Sequence, residues 1–452
     1  MEIDSLEKLY EVANQSGQNI RMKPGRYDLA NYLTEARMEQ IKAEYPRAEG
    51  RPPRWLLRFT GSHNQFDFTN VTLEIDTRLY RHIRSGYGRC ILIEGNDLVF
   101  KGLTIRTVGP KDEGGATLIS LFGNNITLED IQVYVQGSRP YGYGDLLGKG
   151  GPNLTVLQKH SGIMIAGQNN TLRRCKVFSR AFGHCFYIQT QGRDTKNITL
   201  EDCYAEGTTR STDDMLRETE GIAHDVGFRS VYQNRDGRFM ITPGYIKSLT
   251  EDGFRTYGGV GNVTLKNCIA VNTRAGFEIG THDASTTPSQ LEGCIALGTE
   301  RGYLLGSNVV TRNCRGNIVH GPLLYLRENT MNSDIELELV GGIPVKTVHA
   351  IATIAGKNHR IQIFSRESDP MIPALPIFLG FAMPAHGEMS SPILPASTEK
   401  IVLINQVPRL PVITADEATD LSIDSVSPVV SNSDFTHLGN ARGQWPKGGI
   451  AQ

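Results

Sequence analysis

Side chains able to move protons recur at matching places in short apolar segments between residues 160 and 282. His184 stands three residues before Tyr187, Asp252 three before Arg255, and Arg274 four before Glu278. Aligning the segments on Phe186, Phe254 and Phe277 sends those rings to one face and Tyr187, Arg255 and Glu278 to the other. Gln189 and Tyr257 follow two residues later on that outward face. His184 and Asp252 form one row at the turn entering the segments, and His160, Glu251 and Arg274 form another. His282 lies just beyond Glu278. Imidazole, phenol and carboxylate groups exchange protons, and Arg supplies a permanent cation. The set His184, Tyr187, Asp252, Arg255, Arg274 and Glu278 therefore has the composition for acid–base chemistry on a charged substrate. His160, Gln189, His224, Tyr245, Tyr257 and His282 are the expected binding groups around it.

The elements that must hold these groups come from a repeat. Phe100-Lys-Gly-Leu103, Leu128-Glu-Asp-Ile131, Leu172-Arg-Arg-Cys175, Leu200-Glu-Asp-Cys203, Leu265-Lys-Asn-Cys268 and Leu291-Glu-Gly-Cys294 share one pattern, with Thr311-Arg-Asn-Cys314 as a weaker copy. Their starts are separated by 28, 44, 28, 65, 26 and 20 residues. A base period in the twenties is interrupted by two long excursions. Each unit alternates apolar and variable residues between turns, which is strand rather than helix periodicity. Short strands at such a period predict one solenoid coil per repeat, stacked at about 4.8 Å with like residues piled inside. The expected fold class is all-β, a right-handed parallel β-helix with an N-terminal capping helix. Cys175, Cys203, Cys268 and Cys294 should then form an interior thiol ladder, since buried Cys packs as a small apolar group. Asn at the turns suits left-handed backbone. The Asn-x-Thr matches there are accordingly taken as turns and not as glycosylation sites.

The excursions run over residues 138–159 and 208–250, and both leave the coil between the Cys strand and the Gly-Phe strand. Long loops raised from one edge of a rigid scaffold commonly build binding sites. This coincidence separates the outward row from an ordinary polar face. The opening segment Ser5 to Gln15 reads as a helix with Leu6, Leu9 and Val12 on one side, covering the open end of the solenoid. The expected organisation is one β-helix domain over 1–452. Residues 1–50 form its cap region, 51–330 its regular coils, and 331–452 irregular coils and a second cap. Strands are expected within Val345–Ile354, His359–Phe364 and Lys400–Ile404.

Lys+Arg 47 against Asp+Glu 48 argues against a nucleic-acid or anionic-membrane surface. No run approaches 18 apolar residues, so no membrane span is expected. Seven cysteines without a Cys-x-x-Cys give neither a zinc site nor a complete disulfide framework. No metal and no cofactor is assigned. The oligomeric state is left open.

The opening helix, Lys23-Pro-Gly-Arg-Tyr27 and the Asn-x-Thr-Leu-x-x-Cys coils together resemble the right-handed parallel β-helix proteins of the pectate-lyase-like superfamily. The resemblance covers roughly residues 5–330 and rests on scaffold motifs. It implies a polysaccharide or oligosaccharide as substrate and a lyase, hydrolase, epimerase or tailspike-like role. The Asp-Pro-His-Asp signature of alginate epimerases has no match, and the calcium-binding Asp cluster of pectate lyases finds no counterpart. Two reactions fit the residues. In β-elimination at a uronate, Arg255 and Arg274 neutralise the carboxylate while His184, Tyr187 or Tyr257 transfers the proton. In glycoside hydrolysis, Asp252 and Glu278 form the carboxyl pair, with backbones roughly 11 Å apart from strand rise and spacing. The mix of Arg, His and Tyr favours elimination. A glycan-binding or tailspike-like protein without catalysis is the third reading. Met1-Glu2-Ile3-Asp4 lacks the basic and apolar segments of a secretory signal. The resemblance nevertheless implies a periplasmic or extracellular site of action.

Overall fold

In a parallel solenoid every strand hydrogen-bonds to its counterpart one coil away, so the register reports whether equivalent residues stack. In the computed structural model, which describes residues 1–44, 54–83, 88–148, 153–234, 236–280, 288–345, 348–366, 374–383 and 393–433, they do. The chain divides into two compact units. The first comprises Met1–Gly144, Val156–Thr208 and Leu249–Cys268; the second comprises Asp145–Thr155, Thr209–Ser248 and Ile269–Gln452. Each is a stack of parallel β-helix coils.

The first unit opens with the helix Leu6–Val12. Ser5 caps it by accepting a hydrogen bond from the Lys8 backbone N–H, and Leu6, Leu9 and Val12 are buried. A four-residue helix, Leu29–Tyr32, and a longer one, Glu35–Glu44, lie in the stretch that follows. One parallel sheet runs through Trp55–Phe59, Gly88–Ile93, Ala116–Leu121, His160–Ile165, Phe186–Ile188 and Asp252–Thr256. On the other side of the coil, Leu128, Leu172, Leu200 and Leu265 pair in register. The thiols stack three residues further along each coil. Cys175, Cys203 and Cys268 each donate to the backbone carbonyl of the preceding coil's Leu128, Leu172 and Leu200, at 3.5, 3.6 and 3.5 Å. All seven cysteines are free and buried. Phe186 and Phe254 stack face to face with centroids 5.0 Å apart.

The turns form a second ladder. Asp97, Asn125, Asn169, Asn197 and Asn262 all have positive φ. From Asn125 onward, each side-chain amide donates to the previous member, at 2.8, 3.1, 3.0 and 3.2 Å. Asn is chosen here for two reasons at once: it tolerates the left-handed backbone, and it carries a donor and an acceptor for the neighbours above and below.

The second unit continues the same architecture through Ala275–Ile279, Arg301–Leu305, Leu324–Leu326, Ala352–Ile354, Ile377–Leu379, Val412–Thr414 and Val429–Ser431. Phe277 and Tyr303 stack at 5.2 Å, and Cys314 donates to the Leu291 carbonyl at 3.5 Å. The strands expected after residue 330 occur as Ala352–Ile354, Gly356–Phe364 and Thr398–Asn405. The first of these is shorter than its apolar sequence indicated. The longer excursion carries the short helices Thr212–Leu216 and Ile222–Asp225, closed at its base by the antiparallel pair Thr209–Ser211 and Ile246–Ser248. Among the described residues no helix is long and apolar enough to cross a membrane.

Candidate functional site

The first unit brings a histidine between two carboxylates. Backbone bonds fix the approach: the Cys185 N–H donates to the Asp252 carbonyl at 2.8 Å, and the Glu251 N–H donates to the Gly183 carbonyl at 3.0 Å. Gly183 is required there, because a Cβ would lie 2.3 Å from the His160 carbonyl oxygen. His184 Nδ1 then sits 3.0 Å from Asp252 Oδ2, at an angle short of hydrogen-bond alignment. Nε2 lies 3.2 Å from Glu251 Oε2 and 2.8 Å from the Tyr257 hydroxyl.

Two cations close the group. Lys159 Nζ reaches both Glu251 oxygens at 2.9 Å, and Arg255 NH1 reaches Asp252 Oδ2 at 3.0 Å. The Arg255 guanidinium also lies over the Tyr257 ring, 4.4 Å from its centroid, where the negative ring face attracts it. Tyr187 pairs in register with Arg255, as the outward row requires. Its ring lies 5.1 Å from that of His184, and its hydroxyl shares a 2.9 Å hydrogen bond with Thr117 Oγ1. Thr117 in turn pairs in register with Arg89, whose guanidinium burial pulls down from its ordinary pKa.

Four of the six residues expected to carry chemistry, His184, Tyr187, Asp252 and Arg255, thus meet in the first unit, with Tyr257 beside them. Gln189 is half-buried nearby and accepts from Gln191 at 2.7 Å. His160 is fully enclosed. Its Nε2 lies 2.8 Å from the Tyr80 hydroxyl and its Nδ1 lies 2.9 Å from the Gln136 carbonyl, while burial lowers its pKa to about 4. Sequence reasoning passed over Lys159, Thr117 and Arg89. Lys159 adjoins His160 at the turn entering its strand, so its position in the row was the available signal.

The other expected residues belong to the second unit, in a separate ionic network. Asp145 accepts from Arg274 NH1 at 3.0 Å and from the Tyr232 hydroxyl at 2.9 Å, and pairs with Lys247 at 2.5 Å. Lys247 also donates to Glu300 at 2.9 Å, and Glu300 accepts from the Tyr245 hydroxyl and the Ser248 N–H at 2.6 Å each. Burial and the neighbouring Asp145 push the Tyr232 phenol far up. Tyr245, expected as a binding group, is wholly enclosed. Glu278 lies 3.6 Å from Arg274 and 3.7 Å from Arg327. His224 is half-exposed on a short helix, 3.6 Å from Asp225. His282 lies outside the described residues.

His184, Glu251 and Asp252 offer ligand atoms within 4.8 Å of one another, a spacing that suits a metal ion. Calcium, the ion associated with pectate lyases, takes oxygen donors in sixes to eights. Here one donor is an imidazole, and both carboxylates already face Lys159 and Arg255 at about 3 Å. A divalent ion between them would be repelled by two fixed cations. The residues do not fit calcium.

No protein-family model matches the sequence, and no curated protein matches it. Among solved structures, the chain is similar to pectate lyase Pel9A at 12% identity, covering 76% of this chain and 72% of that one with a TM-score of 0.42. It is similar to a PL6 alginate lyase in complex with a trisaccharide at 9% identity, over 96% and 87% of the two chains, TM-score 0.47. A rhamnogalacturonan lyase aligns at 11% identity over 99% and 90%, TM-score 0.38.

Proposed function

We propose that the protein is a carbohydrate-active enzyme that cleaves a uronate-containing polysaccharide or oligosaccharide by β-elimination, acting in the periplasm or outside the cell. The observation that carries this reading is the Asp252–His184–Tyr257 series, with a guanidinium over the phenol ring. A phenol is a poor base while protonated. His184 Nε2, 2.8 Å away, is within reach of its proton, and Asp252 on the other ring nitrogen stabilises the imidazolium that forms. Arg255 favours the resulting phenolate through the ring face.

Tyr257 then removes the proton α to the uronate carboxyl group, and the electron pair forms the C=C bond as the bond to the leaving glycosidic oxygen breaks. The leaving oxygen takes the proton back from the His184–Tyr257 pair. The substrate carboxylate gains charge in the transition state, and Arg255 and Lys159 are the cations nearest to compensate it. Tyr187, held by Thr117, packs its ring at a tilt against the imidazole.

Hydrolysis fits less well. It needs two carboxyl groups with a sugar between them. In this unit Glu251 and Asp252 have an imidazole between them and a cation against each. Purified protein offered a panel of acidic and neutral polysaccharides tests the reading. Elimination generates an unsaturated uronate that absorbs in the near ultraviolet, whereas hydrolysis yields reducing ends without that absorbance.

A further inference from the structure

The cap of the first unit contains a cavity of about 390 Å³, lined mainly by the helices Leu6–Val12, Leu29–Tyr32 and Glu35–Glu44 and the strand Trp55–Phe59. We infer that this cavity is a second, non-catalytic binding site for a neutral glycan. Its volume falls within the range of small-ligand sites, and its walls combine two kinds of group. Tyr10, Tyr32 and Trp55 line it, and all three rings are half-buried. The Tyr10 and Tyr32 rings meet at 42° with centroids 4.6 Å apart, forming a corner. The Tyr10 hydroxyl is committed to the Leu56 carbonyl at 2.7 Å, so its ring cannot swing away. Such faces take the C–H surface of a sugar ring.

The charges decide the ligand class. Among the described residues, Arg37 and Arg58 are the cavity's cations, and each already faces an acid: Glu44 at 3.8 Å and Glu94 at 2.6 Å. Each also lies near an aromatic ring, 5.6 Å from Tyr32 and 5.7 Å from Trp55. Glu7 and Glu11 on the opening helix add negative charge to the rim. Against this described lining, Glu7, Glu11 and Glu44 outnumber the two cations, which disfavours phosphates, nucleotides and uronates, and an apolar ligand would strand the polar wall. A neutral polyhydroxylated ring satisfies both, stacking on the aromatics while its hydroxyls donate to carboxylates and to Gln40. The lining shares no residue with the His184 group, and the inference does not depend on which bond the enzyme breaks.

The chain has two tryptophans, Trp55 and Trp445. In the full-length Trp445→Phe protein, emission therefore reports Trp55 alone. Titration with cellopentaose, xylopentaose and mannopentaose to about 10 mM, with trigalacturonate as the acidic arm, tests the assignment. The expected result is a saturable emission change with at least one neutral sugar. Half-saturation should weaken about tenfold in Tyr32→Ala and about threefold in Gln40→Ala. It should survive in Tyr32→Phe, which keeps the ring, and in His184→Ala, which leaves the cap intact. With circular dichroism unaltered, three results would each overturn the inference. These are no saturable change with any neutral sugar, trigalacturonate binding as tightly as the best of them, or undiminished affinity in both Tyr32→Ala and Gln40→Ala.

Discussion

In the first unit, Glu251 and Asp252 are almost wholly enclosed, yet Lys159 against Glu251 keeps 32% of its side chain exposed and Tyr257 is half-buried. In the second unit, Asp145, Lys247, Arg274 and Glu300 keep between 1% and 3%. The residue types are nearly the same; access to solvent differs. An ion network sealed from water ties chain segments together: Asp145 comes from one excursion, Tyr232, Tyr245 and Lys247 from the other, and Arg274 and Glu300 from the coils. A cluster with one open edge, and with an imidazole between its carboxylates, can pass a proton to a ligand. The comparison teaches that in this fold a buried charge alone does not mark chemistry.

Removing the imidazole should separate the two roles most sharply. His184→Ala is expected to lower the elimination rate by roughly 10² to 10⁴-fold and to lower the melting temperature less than the loss of a buried cation does. Steady-state kinetics beside a thermal melt checks both. Arg274→Ala should do the reverse. It leaves Asp145 and Glu278 buried with one cation fewer, a loss of about 3–5 kcal/mol in chemical denaturation. The rate per folded molecule should change far less than in His184→Ala. A collapse of activity in Arg274→Ala without loss of stability would erase the distinction between the units.

Much of the coil register was legible in the sequence, because a solenoid writes its contacts at a fixed period. The thiol ladder, the Phe186–Phe254 stack and the pairing of Tyr187 with Arg255 follow from aligning repeats. The excursions have no period. Nothing in residues 208–250 indicates that Lys247 turns inward to meet Asp145, a hundred residues upstream, and so Tyr245 reads from the sequence as a binding group. His160 illustrates the same limit. Its partner Tyr80 lies on an irregular turn two coils earlier in sequence, and the resulting seal is invisible to local pattern. Glu251 and Lys159 meet across 92 residues, between a turn and the end of a loop.

Each unit also holds a histidine that deep burial keeps neutral, His160 in the first and His359 in the second, and these sharpen the comparison through pH. Burial lowers His160 and His359 from 6.5 to about 4. Below pH 6.5 the unfolded chain binds protons that the folded chain refuses. Stability is therefore full above that value and falls as the pH drops toward 4, by up to about 3 kcal/mol for each imidazole. Urea denaturation at stepped pH should show this slope, and His160→Gln should remove roughly half of it. A slope untouched by that substitution would mean that His160 is not held neutral.

The smallest effect belongs to the turn ladder. Asn169 donates to Asn125 and accepts from Asn197 with its own backbone at positive φ. Asn169→Ala should cost about 1–2 kcal/mol, and Asn169→Gly should recover the backbone part of it. Equal stability of the two variants would locate the whole effect in the side-chain amide.

The most direct test of the proposed chemistry follows near-ultraviolet absorbance and reducing ends together, for wild type and Tyr257→Phe, on a polysaccharide that the protein cleaves. The two signals should rise in step for wild type, and both should fall by about a hundredfold or more in Tyr257→Phe with the fold intact. Reducing ends without absorbance, or a Tyr257→Phe protein as fast as wild type, would contradict it.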